Sequence, residues 1–102
     1  MVEKGKVIEI IDADLEPLIL KFMSNTQREL AELRKALAEE DFSTVQRLGH
    51  NTKGAGFGYG FKGMGELGKS IEQAARDQDA EGCVSFVEQL EEYLEFLEIQ
   101  YE

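Results

Sequence analysis

The chain has 102 residues, too few for a nucleotide-binding fold joined to a substrate domain, and its 42% apolar content argues for one folded globular domain despite 31% charged residues. Net charge is −10, with eight Lys/Arg against ten Asp/Glu in residues 1–60 and three against eleven in residues 61–102; this balance excludes nucleic acid and anionic membranes as partners. A single cysteine, Cys83, rules out an internal disulfide, the N-terminal MVEKGKVIEIIDAD lacks the apolar core of a signal peptide, and no window approaches the ~18 apolar residues of a membrane span, so a cytoplasmic protein is expected.

The first predicted element is weak: KVIEIID is short, β-branched and ends in acids, which suggests an extended or irregular lead-in. From Asp14 the pattern becomes helical, with Leu15, Leu18, Ile19, Phe22, Leu30, Leu33 and Leu37 on one face, Asp14 as cap and Pro17 in the first turn. A helix over 14–40 is predicted. Asp41-Phe42-Ser43 interrupts it, and a second helix is expected over 43–58. Met64, Leu67, Ile71, Ala74 and Ala75 mark a third over 61–77, closed by the polar cluster Asp77-Gln78-Asp79. Cys83, Phe86, Val87, Leu90, Leu94, Leu97 and Tyr101 form an apolar stripe along a fourth helix over 80–101, opposed by Glu88, Glu91, Glu92, Glu95 and Glu98. Four amphipathic helices with short turns specify an all-α fold, an antiparallel up-and-down four-helix bundle, in a single domain over 1–102.

The only histidine, His50, lies in the second helix within HNTKGAGFGYGF. On a wheel with Val45 at the origin and about 100° per residue, Val45, Leu48, Thr52, Ala55 and Tyr59 form one stripe that must face the core. His50 falls near 140°, beside Lys53 near 80°, Phe57 near 120° and Gly54 near 180°. The imidazole therefore points away from the core, where an ordinary surface histidine remains an open reading.

The glycines favour something more specific. Each costs about 0.5–1 kcal/mol in a helix interior relative to Ala, and Gly49, Gly54, Gly56 and Gly58 share this helix. Gly54, one turn beyond His50 on the outer face, leaves room for an incoming partner, and Phe57 offers that partner an apolar contact. Close helix packing is the expectation for Gly56 and a reasonable one for Gly49. Lys53 places a cation where it keeps the imidazole neutral and steadies a negative adduct. Arg47 can act similarly, or simply be a solvated charge.

His50, Lys53, Gly54, Ala55 and Gly60 resemble the H-x-x-K-G-[SA]…G motif of histidine phosphotransfer (HPt) domains, and LGKSIEQAARDQD is similar to their third helix, usually L-G-x-x-L-E-x-A-A. The resemblance spans about residues 8–102. Thr52 departs from it, standing where the family usually has an aliphatic residue. The resemblance implies a phosphorelay intermediate: His50 accepts a phosphoryl group from a receiver-domain aspartate and passes it to another receiver, with Nε2 as nucleophile and Lys53 in electrostatic support. Arg47, Gly54 and Phe57 are the expected partner contacts. It implies a phosphocarrier without ATP-binding or kinase activity, no cofactor of its own (Mg²⁺ belongs to the receiver), response-regulator receivers and a hybrid sensor kinase as partners, and a monomer.

Other chemistries fit less well. Gly58-Tyr59-Gly60-Phe61-Lys62-Gly63 formally matches G-x-G-x-x-G, but an amphipathic helix precedes it where a dinucleotide site needs a buried strand. A carboxylate-bridged metal pair needs two Glu-x-x-His motifs, and one histidine preceded at three residues by Arg47 removes that option, so no metal site is expected. A Ser-His-Asp triad needs a buried orienting acid and an oxyanion hole, whereas the histidine sits on an open helix surface. The alternative that survives is an adaptor bundle that binds signalling partners without carrying phosphate.

Overall fold

A computed structural model describes residues 6–102. The order of elements is β1 (Val7–Ile11), a 3-10 turn (Ala13–Leu15), α1 (Glu16–Ala38), α2 (Phe42–Tyr59), α3 (Lys62–Arg76), α4 (Ala80–Glu95) and β2 (Leu97–Tyr101). All four expected helices are present. Their main contacts join α1 to α2, α2 to α3, α3 to α4 and α4 back to α1, with α2 against α3 the most extensive.

Local chemistry explains the boundaries. Asp12, not Asp14, supplies the first cap: its side chain accepts from Asp14 N–H, and α1 begins after the 3-10 turn with Pro17 in its first positions. Asp41 caps α2 through Thr44 N–H at 3.1 Å, and Asp79 caps α4 through Gly82 N–H at 3.0 Å. Between α2 and α3 the chain reverses at Gly60, whose φ of 91° suits glycine, and Phe61 N–H returns to Gly56 O at 2.7 Å. Phe61 is fully buried and stacks on Phe22, their centroids 5.1 Å apart; Tyr59 also stacks on Phe22, at 4.3 Å. Burying one such ring contributes about 1.5–3 kcal/mol.

The fold is not purely helical. The fourth helix, expected to reach 101, ends at Glu95, and Leu97–Tyr101 pairs in parallel with β1, Val7 opposite Leu97 through Ile11 opposite Tyr101. The reason lies in an ambiguity of spacing: Leu97, Ile99 and Tyr101 alternate as a strand, while Leu94, Leu97 and Tyr101 also fit a helical stripe. Pairing with the β-branched β1 decides between them. The strand pair is fastened to the helices by Glu9, whose Oε2 accepts from Gly63 N–H at 2.8 Å and from the Tyr93 hydroxyl at 2.7 Å. That carboxylate caps α3, whose own N-cap residue Phe61 makes no side-chain cap bond. Burial and the neighbouring Glu9 charge both push the Tyr93 hydroxyl to a higher pKa than usual, burial more strongly.

Three expected core positions differ. Leu18 is half-exposed, and the buried face of α2 comprises Val45, Leu48, Gly49, Thr52 and Gly56, whereas Ala55 and Tyr59 are only partly buried. The face is rotated toward the two glycines. Hydrophobic periodicity cannot register residues that have no side chain, yet these make the closest approach to α3. A Cβ added at Gly56 would lie 2.5 Å from Gly65 N, and one added at Gly49 would lie 2.7 Å from Glu72 N.

Candidate functional site

The glycine contacts set the site. On α2, Gly49 presses its bare Cα against the backbone of Glu72; on α3, Gly68 presses against the backbone of Lys53. The two helices are thereby locked in a register that brings residue 72 alongside residues 50 and 53. A bulkier residue at either glycine would hold α3 too far away for the contacts that follow.

His50 projects from α2 with its side chain 64% exposed, while the Glu72 side chain is only 11% exposed. His50 Nδ1 stands 2.9 Å from Glu72 Oε2, and Lys53 Nζ donates to Glu72 Oε1 at 2.7 Å. Arg76, one turn along α3, brings its Nη2 to 3.7 Å from Glu72 Oε2. One carboxylate thus connects both residues of the motif. The Lys53 ammonium is the main reason that the Glu72 carboxyl is held below the usual carboxylate range; His50 adds to this, and burial opposes it.

The arrangement dictates a tautomer. An ionised carboxylate can only accept hydrogen bonds, so the atom facing it, Nδ1, carries the proton. The lone pair of a neutral imidazole is then on Nε2, the nitrogen away from Glu72. The carboxylate orients the ring from behind and leaves the lone-pair nitrogen forward.

The other expected site residues differ in their surroundings. Arg47 lines the same shallow hollow as His50, with Ser43, Gln46 and Glu72, a space of about 370 Å³. Gly54 is exposed, and a Cβ there would meet nothing within 4 Å. Phe57 is 45% exposed but does not stand free: its ring lies over Gly65 of α3, where an added Cβ would come within 2.6 Å of it. On the opposite flank of α2, a hollow of about 440 Å³ opens against α1, lined by Leu18, Lys21, Phe22, Asn25 and Arg28 and by Asn51, Ala55 and Tyr59 of α2. The half-exposed Leu18 borders this hollow. Thr52 is buried, as the wheel places it.

Glu72 is the residue of this cluster that composition and spacing did not single out. Its signal was present: a glutamate next to Ile71, between Gly68 and Ala75 on an otherwise apolar and small-residue face, must be paired if it is buried. Only the packing of α3 on α2 reveals with what. Among the described residues no group of three or more His, Cys, Asp and Glu could hold a metal ion, and no helix is long and apolar enough to cross a membrane.

A family model described as the Hpt domain matches residues 17–99. The chain belongs to the Hpt domain family. Hpt domains are phosphocarriers in two-component phosphorelays; they hold the phosphoryl group on a histidine, have no kinase activity of their own and interact with receiver domains of response regulators. Strand β1 of this Hpt domain lies outside the matched span. No curated protein and no solved structure matches the chain.

Proposed function

We propose that this Hpt domain carries its phosphoryl group on Nε2 of His50, taking it from the aspartyl phosphate of one receiver and passing it to the aspartate of another. The observation that supports this reading best is the 2.9 Å contact between His50 Nδ1 and Glu72 Oε2, which leaves Nε2 unprotonated on an exposed ring. In the transfer step the Nε2 lone pair attacks phosphorus, the N–P bond forms, and the P–O bond to the receiver aspartate breaks in line, its electron pair leaving as carboxylate. The imidazole gains positive character as the bond forms. Glu72 lies opposite to receive that charge through Nδ1–H, so its interaction strengthens toward the transition state. Microscopic reversal delivers the group to the next receiver.

Lys53 holds the other oxygen of Glu72, and its partly exposed ammonium is the cation that gives the phosphoryl group electrostatic support. Arg47, in the same hollow, adds a second cation. Gly54 gives the receiver a side-chain-free approach to His50, and the exposed half of Phe57 is a contact on its rim. Mg²⁺ is supplied by the receiver, which holds the acyl phosphate. A hybrid sensor kinase provides one such receiver, and the relay operates in the cytoplasm, where the single free thiol Cys83 is compatible with a reducing medium.

Incubation with a phosphorylated receiver should give an acid-labile, alkali-stable label on the parent chain and none on His50→Ala. A label that survives His50→Ala, or no transfer from any of a panel of receivers, refutes the carrier and leaves an adaptor bundle.

A further inference from the structure

Strand β1 has one edge against β2 and one edge open. Val7 N–H bonds to Phe96 O at 2.8 Å, Ala13 N–H to Glu102 O at 3.0 Å and Glu102 N–H to Ile11 O at 3.0 Å, so the odd-numbered residues of β1 face β2. The backbone groups of Ile8 and Ile10 point the other way, and among the described residues no third strand meets them. The side chains of Ile8 and Ile10 are 52% and 57% exposed, on the face away from the helices. Proteins normally protect a strand edge with charge, proline, a bulge or a covering element. This edge carries two isoleucines and open hydrogen-bonding groups.

We propose that the open edge of β1 pairs antiparallel with the same edge of a second copy of this chain, Ile8 standing opposite the partner's Ile10. The sequence singles out that register. In an antiparallel ladder the hydrogen-bonded pairs come from residues whose backbone groups face the seam, so even-numbered residues must oppose even-numbered ones. Centring the pair on Ile8 would set Lys6 against the partner's Ile10, and centring it on Ile10 would set Ile8 against the partner's Asp12. Centring it on Glu9 matches the three flanking pairs, Lys6 with the partner's Asp12, Val7 with the partner's Ile11 and Ile8 with the partner's Ile10, and leaves only Glu9 opposite its own copy. Opposite charges close both ends of the seam, and the isoleucines of the two copies gather on one face.

The neighbouring groups are compatible with this pairing. Lys6 already lies on that outer face, 3.0 Å from Glu98, and Asp12 caps the 3-10 turn through one oxygen, leaving the other available. Glu9, at the twofold axis, is turned inward onto Gly63 N–H and Tyr93 OH of its own chain, so its charge is satisfied there. The contact at Gly63 is nine residues before Glu72, about 13 Å along α3. The edge is separate from the histidine, and phosphotransfer does not depend on the pairing. Under this pairing the chain forms a weak dimer where the sequence led to the expectation of a monomer, because β1 becomes a sheet edge only once β2 pairs with it.

Sedimentation equilibrium of the full chain from micromolar to millimolar concentration tests the proposal. The mass should double with concentration, and Ile8→Pro, which removes an edge N–H and an exposed side chain, should abolish the doubling with helicity and receiver-dependent phosphorylation unchanged. Register is read separately: Ile8→Cys mixed with Ile10→Cys should cross-link on oxidation far better than either variant alone, the buried Cys83 taking no part. A monomer at every concentration overturns the proposal, as does a dimer that Ile8→Pro leaves intact or cross-linking no better in the mixture than in Ile8→Cys alone.

Discussion

Replacing Glu72 by Ala tests the proposed chemistry most directly, because it removes the group that orients His50 without touching the nucleophile. In the ground state the substitution deletes a hydrogen bond to a charged acceptor, a class worth about 1.5–3 kcal/mol. The interaction strengthens as the imidazole acquires positive charge, so most of that energy should appear in the barrier. At about 1.4 kcal/mol per factor of ten, transfer should slow about 10- to 100-fold. Glu72→Gln keeps an oxygen that accepts from Nδ1–H but loses the charge, and should fall between the two. The fold should survive Glu72→Ala, because Lys53 and Arg76 are partly exposed and can return to water. The assay is single-turnover transfer from a phosphorylated receiver, with circular dichroism as the control. A second readout is the ¹⁵N spectrum of the imidazole: the parent should hold its neutral proton on Nδ1, whereas the Ala variant should shift toward the Nε2–H form that free imidazole side chains prefer. A transfer rate within threefold of the parent, or an unchanged tautomer, would refute the argument.

Gly56 and Gly58 of α2 should respond oppositely to Ala. Gly56→Ala drives a Cβ into the backbone of Gly65 and should cost about 1–3 kcal/mol of stability or more, whereas Gly58→Ala enters open space and should gain about 0.5–1 kcal/mol; thermal or urea unfolding distinguishes them. Gly54→Leu should abolish receiver binding at unchanged helicity, measured by titration calorimetry, and unaltered affinity would assign that glycine no docking role. Glu9→Ala should lower stability by about 1–3 kcal/mol, because it strands the buried Tyr93 hydroxyl and uncaps α3, while Tyr93→Phe, which deletes the stranded donor, should cost less. The Glu72 carboxyl, made more acidic in the folded chain by Lys53, stabilises the fold fully above its unfolded value of about 4.3 and loses that contribution as pH falls through its lower folded value. Urea midpoints should therefore drop less steeply in that acid range for Glu72→Gln than for the parent.

What the sequence determined by itself was whatever has a periodic or motif signature. The four helices were legible because their apolar faces recur at helical spacing, and His50 was legible as an outward residue because the stripe from Val45 through Thr52 fixes the direction of the core. Lys53 and Gly54 followed from the motif. Three things were decided by tertiary structure alone. The last five residues of the presumed fourth helix became β2, since their spacing fits either structure and only the distant β1 breaks the tie. The buried face of α2 turned toward Gly49 and Gly56, because close approach of two backbones leaves no mark on hydrophobicity. Glu72, twenty-two residues from His50, became its partner because those same glycines, with Gly68, let α3 approach until the carboxylate meets the imidazole. The outward histidine can be named from a local pattern, but the carboxylate that meets it belongs to another helix, and only packing determines where that helix lies.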